Sequence, residues 1–400
     1  MAKTQISDLG DLKGKRVLVR VDFNVPLDKI SGAIKNDRRI RGAVPTLREL
    51  LKAGASVIAM SHLGRPTGDA AKDKHLTMDN VAERLADLLE VPVTKAGAAV
   101  VGPDVSAAVA RMAPGSVVIL ENLRFDPREQ KNDAGFAAAI AALGDAYVND
   151  AFGTCHNDGD ASMVAVPAAM KAAGKPRAVG LLVAKELHII DALMAAPKKP
   201  VLGIMGGAKV SDKIAFIHAL LGKVDKLLVG GKMAYSFLKA RGTSIGATRI
   251  APEEIAAAQP LLQYVGTKIV LPTDYLAAKS DDLLATQVCE GDIPAGFEGV
   301  DIGPQTMAAF ALEIGQAATV IWNGPVGWFE QEAFARGTKE VAEAMAANGG
   351  TTIIGGGETA EAVEKFGYDA KMTHVSTGGG AFLAYVEGKP FASLAQIDSL

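Results

Sequence analysis

RVLVRVDFN (16–24) is an apolar, β-branched run that stops on polar residues, and a helical stretch follows it. The same pattern recurs in SVIAMSHLGR (56–65), SVVILENLRF (116–125) and AYVNDAFG (146–153). A second series is PVLGIMGGAK (200–209), KLLVGGKM (226–233), KIVLPTDY (268–275), TVIWNGPVG (319–327) and TIIGGGET (352–359). Near-continuous apolar strands alternating with helices predict an α/β protein whose parallel sheets are covered on both faces. Helices are expected within 44–52, 78–89, 210–221 and 359–365. The stretch GLLVAKELHIIDALMAAPKKP (180–200) is long, helical in pattern and ends in prolines, and is read as the connector between two halves.

The bulk properties narrow the class. A chain of 400 residues suits two or three domains. A net charge of −3 gives no reason to expect nucleic acid or an anionic membrane as the main partner. No run of about 18 apolar residues marks a membrane span, and MAKTQISDLGDLKGK has no apolar core of a signal peptide. Cys155 and Cys289 form no disulfide framework, which fits a reducing compartment. The expectation is a cytoplasmic protein.

In such sheets, ligands sit beyond the carboxyl ends of the strands. The first half places Asp22, Asn24, His62, Arg65, Arg124, Asn149 and Asp150 there, a set suited to a small polar anion. The second half places glycines there, with Lys209, Asp274, Asn323 and Glu358, which suits a larger flat or phosphorylated ligand. Gly206-Gly207, Gly230-Gly231, Gly355-Gly356-Gly357 and Gly378-Gly379-Gly380 let backbone N–H groups approach phosphate. A P-loop is excluded, because GIMGGAKV (203–210) fails at Ala208 and Val210. GxGxxG is absent from the first strand–helix turn, against a standard dinucleotide-binding dehydrogenase.

Single residues carry alternatives. Lys209 and Lys213, four apart at a helix start, are either solvated on one face or point charges for a phosphoryl group. Arg39, Arg65 and Arg124 are surface ion-pair formers or phosphate forks. Asp22 and Asn24 suit an Asx turn before Pro26. Trp322-Asn323-Gly324-Pro325 with Glu330 reads as a loop, or as a ribose-side carboxylate in a nucleotide site. FGTCHND (152–158) is open between a metal site, a thiol with its base, and a loop near a ligand.

VDFNVP (21–26), RRIRGAVPTL (38–47), SHLGRP (61–66), ENLRF (121–125), VNDAFGT (148–154), GGAKVSDKI (206–214), VGGKMAYSFL (229–238), WNGPVGWFE (322–330), GGGET (355–359) and HVSTGGGA (374–381) together resemble the phosphoglycerate kinases. The resemblance runs from Val17 to about Pro390. It implies two Rossmann-like domains with parallel sheets, joined by a waist helix and hinge. Residues 1–179 would bind 3-phosphoglycerate or 1,3-bisphosphoglycerate, 180–199 would connect, and 200–380 would bind ADP or ATP with Mg²⁺. Residues 381–400 would pack back on the first domain. It also implies a monomer and a hinge closure that brings the substrates together.

Carried over by position, Asp22, Phe23, Asn24, Arg39, His62, Leu63, Gly64, Arg65, Arg124 and Asn157 are substrate residues. Lys209, Lys213, Gly299, Glu330, Gly356, Gly357, Glu358 and Thr359 are nucleotide residues, and Glu358 is also the metal-associated one. Arg39 and Lys213 are the expected transition-state clamp. Two departures stand out: Asn157 replaces the family's arginine, with Lys175 and Arg177 as candidate compensating cations, and Glu358 replaces the usual aspartate. The resemblance also turns FGTCHND from a metal or thiol site into a substrate-side loop. Two other readings are a weakly active or non-catalytic relative that binds nucleotide or protein, and a phosphotransferase with a different acceptor.

Overall fold

The computed structural model describes residues 3–28 and 31–399. Met1, Ala2 and Leu400, at the ends of the expected domain ranges, lie outside the described residues, as do Lys29 and Ile30. The chain divides into two compact units, Met1–His188 with Pro390–Leu400, and Ile189–Lys389.

The first unit holds a six-stranded parallel sheet. Its strands are β1 (Arg16–Val21), β2 (Ser56–Met60), β3 (Val93–Lys95), β4 (Val117–Ile119), β5 (Ala146–Asp150) and β6 (Arg177–Val179), in the order β3-β4-β2-β1-β5-β6. Val17, Val19 and Val21 pack with Ile40, Leu47 and Leu50 of the helix Arg38–Lys52 in one core. Chain order reverses between β1 and β5, so the topological switch point lies there. That helix starts six residues earlier than expected, at Arg38, whose N–H reaches Asn36 Oδ1 at 2.9 Å. Arg39 therefore stands in its first turn.

The second unit repeats the plan with β7 (Val201–Met205), β8 (Lys226–Val229) and β9 (Ile269–Val270), then β13 (Thr319–Asn323), β14 (Thr351–Gly355) and β15 (His374–Val375). Their order, β15-β14-β13-β7-β8-β9, puts the switch between β7 and β13. Between β9 and β13 lies an antiparallel sheet of β10 (Asp274–Lys279), β11 (Asp282–Glu290) and β12 (Phe297–Ile302), ordered β11-β10-β12. KIVLPTDY is thus two strands of two sheets. Asp274 is no ligand-facing strand end: buried at the start of β10, it accepts the N–H groups of Gln305 and Thr306 at 2.9 and 2.7 Å, capping the helix Pro304–Gln316.

The connector stretch forms the helix Leu181–Ala195. Asp150 Oδ1 accepts from Leu182 N at 3.0 Å, and Leu181 N donates to Thr46 Oγ1 at 2.9 Å. Asp150 is therefore a buried helix cap rather than a ligand contact, and burial pushes its carboxyl up to about 7. No described helix is long and apolar enough to cross a membrane.

Candidate active site

The end of β1 builds the first cavity. Asp22 Oδ1 accepts from Asn24 N at 3.2 Å, and both Asp22 oxygens accept from Arg39 Nη1 at 3.0 Å. Asn24 Oδ1 takes the Gly64 N–H at 2.8 Å, tying the β1 turn to the β2 turn. Gly64 has φ +64°, and a Cβ there would meet Leu76 at 2.7 Å, so this turn requires glycine. Asn122 grips Leu63 by both backbone groups, and Arg124 Nη1 donates to Gly64 O at 3.3 Å.

These turns leave a cavity of about 670 Å³ lined by Asn24, Arg39, His62, Gly64, Arg65, Pro66, Arg124, Gln130, Gly153, Thr154, His156 and Asn157. Seven of the ten predicted substrate residues line it. Asp22 stands behind Arg39. Phe23 and Leu63 have buried side chains that face the core, with N–H groups engaged by Ser61 Oγ and Asn122 Oδ1.

Behind the cavity lies a layer the sequence reading missed. Arg20 is fully buried; it donates to Ser162 Oγ at 2.8 Å and meets His62 Nδ1 at 3.1 Å. An arginine can only donate, so His62 Nδ1 accepts and Nε2 holds the proton. Burial first, then the charges of Arg20, Arg124 and Arg39, hold His62 far below its ordinary pKa, and it acts as a neutral donor. Ser162 in turn donates to Glu129. The only outward sign of this layer was a charge inside the apolar run RVLVRVDFN.

FGTCHND resolves into a 3₁₀ turn, Phe152–Thr154, closed by Cys155. Cys155 is fully buried against Asn149, and burial pushes its thiol up to about 12, so it is no thiolate nucleophile. Asn149 likewise serves the interior, accepting from Ala151 N at 3.1 Å. Among the described residues no cluster of three His, Cys, Asp or Glu side chains is placed to hold a metal ion. Thr154, His156 and Asn157 line the cavity instead. Lys175 and Arg177 do not compensate for Asn157. Lys175 caps the carbonyls of Ala141 and Gly144, and Arg177 binds Gln396 O and Asp398.

In the second unit the turns after β7 and β13 pack back to back. Gly206 N donates to Asn323 O at 2.9 Å and Gly207 N to Pro325 O at 2.8 Å. A Cβ on Gly206 would overlap the Pro325 carbonyl, so the close approach needs glycine. Gly231 N reaches Val326 O at 2.9 Å, bringing the helix Gly231–Ala240 to the same place. Thr359 Oγ1 accepts from Gly324 N at 2.6 Å, and Asn323 Nδ2 donates to Gly355 O at 2.8 Å. These bonds draw in the N-terminus of the helix Gly357–Lys365.

The cavity so walled measures about 320 Å³; its lining includes Gly207, Gly231, Lys232, Tyr235, Thr248, Glu298, Gly299, Asp301, Val326, Trp328, Glu330 and Glu358. Gly299 lies against Tyr235 so closely that a Cβ would overlap the ring. Lys213 Nζ donates to Gly206 O at 3.0 Å. Burial lowers its pKa, while the Glu358 and Asp212 carboxylates oppose that fall. The place a Gly207 Cβ would take is 3.2 Å from Lys213 Nζ and 3.9 Å from Glu358 Oε2, so both heads flank one glycine.

Gly356, Gly357 and Thr359 form the adjoining turn rather than the wall. Lys209 is exposed and outside the lining. It shares no helical face with Lys213, because Glu254 takes the N–H groups of Val210 and Ser211, and a 3₁₀ turn, Ser211–Lys213, precedes the helix Ile214–Leu221. Trp322 belongs to β13 and is fully buried; the loop aromatic is Trp328. Tyr235, Thr248, Glu298, Asp301 and Trp328 were not anticipated: Glu298 and Asp301 lie on β12, which has no strand–helix pattern, and the other three are brought to the wall from the helix Gly231–Ala240 and from loops.

The sequence profile described as "Phosphoglycerate kinase" matches residues 6–389. The phosphoglycerate kinase of Rhodopirellula baltica is 47% identical over all of both chains. That of Chloroflexus aurantiacus is 48% identical over 99% of each. The solved phosphoglycerate kinase of Coxiella burnetii superposes with a TM-score of 0.83 at 36% identity, over 98% of each chain. With the two cavities at the two switch points, these likenesses mean that the chain belongs to the phosphoglycerate kinase family.

Proposed function

We propose that the arginine-lined cavity holds 3-phosphoglycerate or 1,3-bisphosphoglycerate and that the glycine-walled cavity holds ADP or ATP. The family's reaction is reversible phosphoryl transfer between 1,3-bisphosphoglycerate and ADP, giving 3-phosphoglycerate and ATP, by a phosphotransferase with a carboxyl acceptor. The observation that carries the assignment is the pair of charged heads, Lys213 and Glu358, flanking Gly207: Gly207 and Glu358 line the glycine-walled cavity, and Lys213 stands behind Gly207, outside the lining. A non-catalytic scaffold is not favoured, since a pure binding module needs neither this pair nor Arg39.

Both reacting oxygens in this chemistry are already anionic, so positioning and charge stabilisation matter more than a strong base. Asn24, His62, Arg65 and Arg124 orient the phosphoglycerate. Arg39, held by Asp22, and Lys213, held by Gly206, are the proposed charge donors to the transferring group. Glu330 and Gly299 face the nucleoside, and the turn Gly356–Thr359 offers N–H groups to its phosphates.

The family reading implies Mg²⁺ accompanying the nucleotide. Glu358 fits that role: it gives a hard oxygen donor in the cavity, and Mg²⁺ is commonly held by one or two carboxylates plus substrate phosphates. Bound there, the ion would neutralise phosphate charge. We further propose a cytoplasmic monomer. Sedimentation velocity should give one species of monomer mass, and a concentration-dependent dimer would refute it.

Tryptophan emission tests the nucleotide assignment. Trp322 is fully buried, whereas Trp328 is 41% exposed and lines the cavity. Titration with ADP should change the emission saturably, and Trp328→Phe should abolish the change. Tight ADP binding that leaves the emission unaltered would move the nucleotide elsewhere.

A further inference from the structure

The loop after FGTCHN carries a carboxylate that the family reading leaves without a part. Asp160 is 4% exposed. Its Oδ2 lies 3.8 Å from Arg124 Nη2 and accepts from Asn157 Nδ2 at 3.3 Å. Its carbonyl takes the N–H groups of Met163 and Val164 at 3.0 and 3.1 Å, which fixes its place.

Arg124 is only partly satisfied. Nη1 reaches Gly64 O at 3.3 Å, and Nε is buried with no partner among the described residues. A hydrogen-bonded guanidinium–carboxylate pair closes to about 2.7–2.9 Å, so at 3.8 Å Asp160 attracts Arg124 without completing it. Arg39 already carries Asp22. Of the three arginines lining the cavity, only Arg65 has no carboxylate partner among the described residues. Asn157 brings an amide and no charge, so nothing neutralises Asp160 from that side.

We propose that Asp160 is a resident counter-ion of the substrate cavity. It occupies Arg124 when the cavity is empty, opposes an entering anion, and so sets the affinity for 3-phosphoglycerate. This rests on reading the cavity as the substrate site. An anion that engages Arg124 comes near the Asp160 carboxylate at the same time, since Asp160 Oδ2 lies 3.8 Å from Nη2. Like charges in one site disfavour each other, and an opposition equivalent to about one pH unit is a factor of about ten in affinity. The phosphate or carboxylate of the substrate and a free sulfate ion meet the same repulsion.

The test is Asp160→Asn, which keeps shape and an acceptor while removing the charge. KM for 3-phosphoglycerate at saturating Mg-ATP should fall about tenfold, with the inhibition constant of inorganic sulfate falling in parallel. KM for ATP should stay within about twofold. Asp160→Ser, a second neutral variant, should lower the same two constants if Asp160→Asn folds poorly. Unchanged or raised constants in the folded variants overturn the proposal. Arg65→Ala separates the two levels: it should raise KM for 3-phosphoglycerate whatever Asp160 does. If it does not, the substrate assignment of the cavity fails, and the counter-ion role of Asp160 falls with it.

Discussion

Lys213→Ala should lower kcat by at least about 100-fold at saturating substrates, the scale for losing one preorganised charge donor to a transition state. The structure gives Lys213 one visible hydrogen bond, to Gly206 O at 3.0 Å. An ammonium has three N–H donors, so it has capacity left for phosphoryl oxygens. Burial raises the strength of such an interaction by removing competing water. Gly207 lets the side chain lie across the turn, and Glu358 balances its charge from the other side. Alanine would leave Glu358 facing the phosphates without its cation. Steady-state kinetics in the ATP-forming direction decides the matter. A loss confined to the KM for ADP would mean that Lys213 only anchors the nucleotide.

Arg39→Ala should have an effect of the same order on kcat, about 100-fold or more. Here the geometry allows a sharper test. Both Asp22 oxygens accept from one guanidinium nitrogen, Nη1, leaving the rest of the fork to the cavity. Arg39→Lys keeps a charge but loses the planar fork. It should recover only a small part of the lost rate. Because Asp22 is largely buried and loses its partner, melting temperature is to be measured alongside. A rate loss that tracks unfolding, and that Arg39→Lys repairs fully, would make Arg39 a mere structural support for Asp22.

The fold was legible because most of the parallel strands announce themselves as apolar runs ending in polar or glycine residues; the short outer strands β3, β6 and β15 do not. RVLVRVDFN and VLGIMGG carry that pattern, and both lie beside a switch point. Arg65 and Arg124 were legible for the same reason, since they stand in the turns after β2 and β4, whereas Arg39 stands in the first turn of a helix. The antiparallel strands were not. DLLATQVCE is mostly exposed and flanked by charge, so it offered neither alternation toward a core nor a following helix. With the antiparallel sheet went Glu298 and Asp301 of the cavity wall. Asp150 and Asp274 show the opposite failure: a carboxylate at a strand boundary can serve a ligand or a helix N-terminus, and only tertiary packing tells which. Asp160 escaped notice because a charge buried beside another element has no local signature, and Arg20 showed only as a charge inside an apolar run.

The first unit is finished by the last residues of the chain. Lys3 Nζ donates to Ile397 O at 2.9 Å, Arg177 binds Gln396 O and Asp398, and Ser393 Oγ reaches Cys155 O at 2.7 Å. During synthesis the arginine-lined half emerges first, yet these anchors exist only after some 200 further residues have been translated, those of the second unit. A ribosome-bound fragment ending before Pro390 lacks them, so the loop holding Cys155 receives its backing only once residues 390–398 are made. Synthesis of that segment, rather than emergence of the first half, sets the moment at which that cavity gains its full support.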